Sequence, residues 1–149
     1  MIENNYGILN FNFIDKIIIK KRIEMLKILE KNIEKTKLLS MLDIGTVDDD
    51  SLESSNFFLK NFRNISIKKS ISNQKINNQN FSMCLKKSIT SDFSNDEVKN
   101  FKSDLVVSSA TIEHVGNYSN QKKMLNNIIS FADKFFFITT PNRFFPIDF

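Results

Sequence analysis

The stretch SDLVVSSATIEHVG (residues 103–116), followed by FFFITTPNRFFP (residues 135–146), decides how this chain folds. An acid, Asp104, opens a short apolar run, Leu105 to Val107, that reads as a buried strand. The small residues Ser108, Ser109 and Ala110 follow it, and then the pair Glu113-His114. A polar helical segment comes next, and after it a second apolar run, Phe135 to Ile138. Two buried strands joined by one helix form a βαβ crossover. Small residues just past a strand let a ligand approach the backbone closely.

The pattern continues on the N-terminal side. Residues 38–45, LLSMLDIG, are a short apolar run ending in Asp-x-Gly, a buried strand opening into a turn. A short amphipathic helix is expected over 51–62, with Ser51 as its N-cap and Phe57, Phe58 and Phe62 facing the sheet. Ile65, Ile67 and Ile71 alternate with polar residues, which is the period of a half-buried strand. A polar loop over 72–80 precedes another strand expected over 81–90, and 95–102 reads as a linker or helical turn. Phe13 to Lys37 reads as one long amphipathic helix, with Ile19, Ile23, Leu26 and Ile33 at helical spacing. Strands alternating with helices define an α/β protein with a mostly parallel sheet. A single domain over 1–149 is expected, made of an N-terminal helical segment (1–37) and an α/β core (38–149).

Composition excludes several function classes. The 149 residues are 41% hydrophobic and 26% charged, which is ordinary for a globular domain and argues against wholesale disorder. No apolar run reaches the ~18 residues that would span a bilayer. The N-terminus has no basic, apolar and small-residue sequence of a signal peptide, so a cytoplasmic protein is expected. The single cysteine, Cys84, rules out an internal disulfide and is expected as a small core residue. One histidine makes a metal site an unpromising reading. The net charge of +4 includes seven bases and no acid between residues 54 and 91. That block has no alternation of basic and aromatic residues, nor helix-turn-helix or zinc-finger spacing, so a solvated basic face is expected rather than a nucleic-acid surface.

From Asp104 onward the chain resembles a class I S-adenosylmethionine-dependent methyltransferase of the type 11 kind, and the resemblance extends over residues 36–149. The stretch from Asp43-Ile-Gly-Thr46 to Ser55-Asn-Phe-Phe58 is similar to one branch of that family. The resemblance implies a Rossmann-like sheet in the order 3-2-1-4-5 and S-adenosylmethionine as cofactor. It also implies methyl transfer to an unidentified small-molecule acceptor. Three places are implied to hold the cofactor. In the first, Gly45 and Thr46 approach it, while Asp43 accepts from an amino group or holds the loop. In the second, Asn73 stands where the family carries an acid for the ribose hydroxyls. In the third, Asp92 accepts from the adenine amino group or caps a turn. Ser109 and Ala110, after the fourth strand, complete the set, and Glu113-His114 is expected to be structural or close to the cofactor rather than a catalytic base. Asp48 to Asp50 would repel phosphate, which favours a cationic sulfonium over NAD or ATP. The family fold continues for two strands beyond the fifth. Ending at Phe149 is expected to expose the edge at Phe135–Thr139 to self-association or a partner. A non-catalytic remnant of the fold, acting as a binding subunit, is the alternative.

Overall fold

The computed structural model describes residues 3–33, 37–48, 56–62, 65–77 and 81–141. The chain divides into two compact units, one of residues 1–37 with 49–61 and the other of residues 38–48 with 62–149. In the first unit, helix α1 covers Glu3–Ile33 and helix α2 covers Phe57–Asn61. Helix α1 starts ten residues earlier than the apolar spacing indicates, because Asn4, Asn5, Gly7 and Asn10 are weak helix formers that hide the start. Phe57 and Phe58 are buried and meet edge to face at 5.6 Å. The N-cap expected at Ser51 lies outside the described residues, as do Asp49, Asp50 and the segment 142–149.

The second unit is a five-stranded parallel sheet. Its strands are β1 (Ser40–Ile44), β2 (Ile67–Ser72), β3 (Met83–Lys86), β4 (Ser103–Ser109) and β5 (Ala132–Thr139), in the order β3-β2-β1-β4-β5. This is the expected order. Strand β1 is central, with Leu42 level with Lys69 of β2 on one side and with Val106 of β4 on the other. Met41, Leu42, Leu105, Val106 and Val107 have no exposed surface, so both faces of β1 and β4 are covered, as an all-parallel sheet requires. One face packs on helix α4 (Tyr118–Phe131), whose Met124, Ile128 and Phe131 join Leu42, Ile44, Ile71 and Val106 in a single core. Phe131 meets Phe93 edge to face at 5.0 Å.

Three sequence expectations change. The segment 95–102 is a true helix, α3 (Asn95–Phe101), held by a capping box between Ser94 and Glu97. The strand expected over 81–90 stops at Lys86, because Lys87 turns aside to Glu97 and residues 88–91 form a turn. Cys84 is exposed, not buried in the core. It lies on the edge strand β3, where only Leu85 packs inward. The other edge, β5, leaves Phe136 52% exposed.

Asp104, at the start of β4, locks the lower end of the sheet. Its Oδ2 accepts from the backbone amides of Leu39 (2.7 Å) and Ser40 (3.1 Å), and its Oδ1 meets Lys134 of β5 at 2.7 Å. Burial works against its charge. The Lys134 ammonium and the two amides outweigh that and hold the carboxyl below its ordinary range. Asp104→Ala leaves two amides and a lysine without their acceptor, so we expect a loss of roughly 2 kcal/mol at neutral pH in chemical denaturation. A depressed carboxyl stabilises only above its unfolded pKa. The deficit of the variant should therefore shrink as pH falls below about 4.

Candidate functional site

A cavity of ≈ 450 Å³ opens at the carboxyl ends of the strands, within the size range of small-molecule sites (about 300–1,000 Å³). Its origin is topological. Strand β1 has β2 on one side and β4 on the other, so the strand order reverses here, and the carboxyl ends at such a point are where open parallel sheets bind ligands. Segments 44–47, 71–74, 87–90 and 110–115 supply the lining.

The loop after β1 is built around Gly45. Its φ is +88°, and an added Cβ would fall into the Thr111 side chain, 2.9 Å from Cγ2. The loop is then tied down on both sides. The Gly45 amide donates to Ile71 O at 3.0 Å, continuing the β1–β2 ladder. Thr111 Oγ1 and Ser108 Oγ each donate to Ile44 O at 3.3 Å. Beneath the loop runs a buried chain in which Ser70 Oγ donates to Thr46 Oγ1 (2.8 Å), which donates to Asp43 Oδ2 (2.7 Å). Ser72 Oγ donates to Thr46 O at 2.7 Å, so β2 grips the loop as well. Burial pushes the Asp43 carboxyl up to about 6, with the Thr46 hydroxyl pulling weakly the other way.

Of the seven residues singled out in the sequence, Gly45, Thr46, Asn73 and Ala110 line this one cavity. Asp43 lies behind the wall, with its carboxylate committed to Thr46. Ser109 also stands behind it, its hydroxyl accepting from Thr139 Oγ1 at 3.0 Å and joining β4 to β5. Asp92 is exposed and outside the cavity, paired with Lys123 at 2.8 Å. Asp48, the described member of the acidic run, accepts from the amide and side chain of Asn77 at 3.1 and 2.9 Å. Ala110 holds a φ of +52°, a left-handed conformation that costs a non-glycine residue on the order of 1 kcal/mol. Such backbone strain concentrates at functional sites.

The structure adds residues that the sequence did not single out. Thr111 closes on Gly45, and Ser88 and Thr90 form the far wall through a 2.9 Å contact between their hydroxyls. Lys87 also lines the cavity, its ammonium 2.8 Å from both oxygens of Glu97 and 4.8 Å above the Phe93 ring. The available signal was Ser-x-Thr just after a strand, a turn pattern. His114 lines the cavity with an exposed ring. Its neighbour Glu113 has one buried oxygen, Oε1, without a hydrogen-bond partner, 4.0 Å from His114 Nε2.

No protein-family model matches the chain, and no curated protein does. Solved structures do match its fold. The N-methyltransferase NodS from Bradyrhizobium japonicum WM9, in complex with S-adenosyl-L-homocysteine, aligns with a TM-score of 0.52 and 10% identity over 74% of this chain and 56% of that one. The plantazolicin methyltransferase BpumL, in complex with a pentazolic desmethylPZN analog and the same nucleoside, aligns with a TM-score of 0.56 and 14% identity over 95% of this chain and 52% of that one. The chain therefore has the Rossmann-like fold of S-adenosylmethionine-dependent methyltransferases and spans about half the length of these two neighbours.

Two variants test this local construction. Gly45→Ala should cost more than about 2 kcal/mol, since it meets both a left-handed backbone and the Thr111 side chain. In Asp43, a carboxyl with folded pKa near 6 and unfolded pKa near 4 binds more protons folded than unfolded across that interval. Its contribution to stability therefore falls as pH rises from 4 to 6. Asp43→Asn removes this titration, and its stability relative to the parent should rise by on the order of 2 kcal/mol between pH 4 and pH 7 in urea melts.

Proposed function

We propose that this chain binds S-adenosylmethionine and its demethylated product in the switch-point cavity and transfers the methyl group to a small-molecule acceptor. The single observation carrying this reading is the cavity at the ends of β1 and β4, walled by the Gly45–Thr46 loop. It sits in the fold of two methyltransferases solved with the product nucleoside. When bound, the cofactor supplies an electrophilic methyl carbon.

The residues of this chain bind and align. Gly45 brings bare backbone to the ligand, and Asp43 acts through Thr46 to hold that loop in shape. Asn73, exposed just past β2, offers a neutral amide to the ribose hydroxyls. Ala110 turns the chain after β4 at the cavity's edge, with Ser109 tying that turn to β5. Asp92, exposed and paired with Lys123, lies just past the far wall and outside the cavity lining. One observation favours the second reading, a binding subunit without catalysis. At the ribose position the chain presents Asn73, a neutral group that binds hydroxyls less strongly than a carboxylate.

Calorimetry with S-adenosylhomocysteine and S-adenosylmethionine tests the binding. Heat is expected for both, Asp43→Ala should abolish it by freeing the loop, and Asn73→Asp should tighten binding by up to about tenfold. Silence at millimolar ligand overturns the reading. Binding without label transfer from methyl-labelled cofactor, across a panel of amines and alcohols, moves the protein to the binding-subunit reading.

A further inference from the structure

The far wall of the cavity, residues 87–90, begins where β3 ends at Lys86, and Lys87 is tied to β2 through its amide, which donates to Ser72 O at 2.9 Å, and to α3 through Glu97. Beyond Lys87 the turn is bonded to helix α4. The side-chain amide of Asn127 donates to Ile89 O at 2.6 Å and to Ser91 O at 3.0 Å. Two carbonyls facing one nitrogen also settle the orientation of that amide, since only the NH₂ end can serve both. One helical turn earlier, Lys123 holds Asp92 at 2.8 Å from the same side. Within the turn, Thr90 N donates to Ser88 Oγ (3.3 Å) and Ser91 N to Ser88 O (3.0 Å). With the carbonyls of residues 89 and 91 drawn toward α4, Ser88, Ile89 and Thr90 remain in the cavity wall.

We infer that Asn127 is a positioning residue that sets base selectivity, by fixing the 88–91 turn as the surface that reads the edge of the purine. This rests on the nucleoside reading above. The family resemblance implies an acid, Asp92, as the reader of the adenine amino group. Here Asp92 is 2.8 Å from Lys123 and outside the cavity, so the base edge meets the turn itself. The shape of that turn depends on a residue that does not line the cavity. Asn127 is half-buried, and without its amide two carbonyls lose their donor and the turn is free to relax into the space of the base.

The test compares S-adenosylhomocysteine with S-inosylhomocysteine, in which oxygen replaces the purine amino group, by calorimetry on the full chain. The parent protein is expected to prefer the adenine compound. Asn127→Ala should weaken S-adenosylhomocysteine by about tenfold and bring the preference close to one. Asn127→Asp, of the same shape but with an acceptor facing the two carbonyls, should do the same, and it serves if the alanine variant does not fold. Equal weakening of both ligands, with the preference intact, would make Asn127 a stability residue and overturn the inference. So would unchanged binding of both ligands. Failure of the parent protein to bind S-adenosylhomocysteine at all would instead overturn the functional reading beneath it.

Discussion

The buried hydrogen-bond chain from Ser70 through Thr46 to Asp43 is the interaction on which the rest of the site depends. A carboxylate taken out of water is costly unless donors surround it. Here the donor is the loop that follows the strand bearing the carboxylate, and that donor is itself served by the neighbouring strand. The cost of burying Asp43 is thereby turned into a conformational demand. The loop after β1 has to lie where Thr46 can reach back, and β2 has to lie where Ser70 can reach Thr46. Its raised pKa is the residue of the same conflict, with burial outweighing the one hydroxyl.

Once the loop is fixed there, its other features follow from crowding. Thr111 arrives from β4 and occupies the place where a side chain on residue 45 would stand, so the first loop and the turn after β4 share one packing surface. Both loops bound the cavity, and both are set by strands paired within a single parallel sheet. The opposite end of the sheet is managed differently. Asp104 gathers the start of β1, its own strand and Lys134 of β5 with charge-assisted bonds at the rim. A polar clamp below and a hydroxyl chain above thus bracket an apolar middle in which Leu42, Val106 and Ile128 are fully buried.

The far wall shows why part of the site was hidden. Asp92 stands where the family resemblance implies an acid after the third strand. Nothing near it in the chain reveals that Lys123 lies across from it, since the pairing comes from the packing of α4. Asn127 is hidden for the same reason, being an unremarked amide in a polar helix whose partners lie 36 and 38 residues away. The exposure of Cys84 is not legible in the sequence, because its apolar neighbours suit a core strand equally well. An edge position is a property of the sheet, not of the segment.

The sequence by itself determined the α/β class, the five strands, their order through the family resemblance, and the positions of Gly45, Thr46, Asn73 and Ala110 at the strand ends. The class, the strands, the turn at Gly45 and the small residues after β4 follow from local signals: apolar runs of strand length, an Asp-x-Gly turn, and small residues after a strand; the strand order and the choice of Asn73 come from the resemblance. Only the tertiary structure decided that Asp43 faces inward to Thr46, that Asp92 faces outward to Lys123, and that the turn of the far wall is bonded to α4. Those outcomes turn on which groups meet across long stretches of chain. A carboxylate written in the sequence becomes a brace, a clamp or a solvated ion only when folding selects its partners.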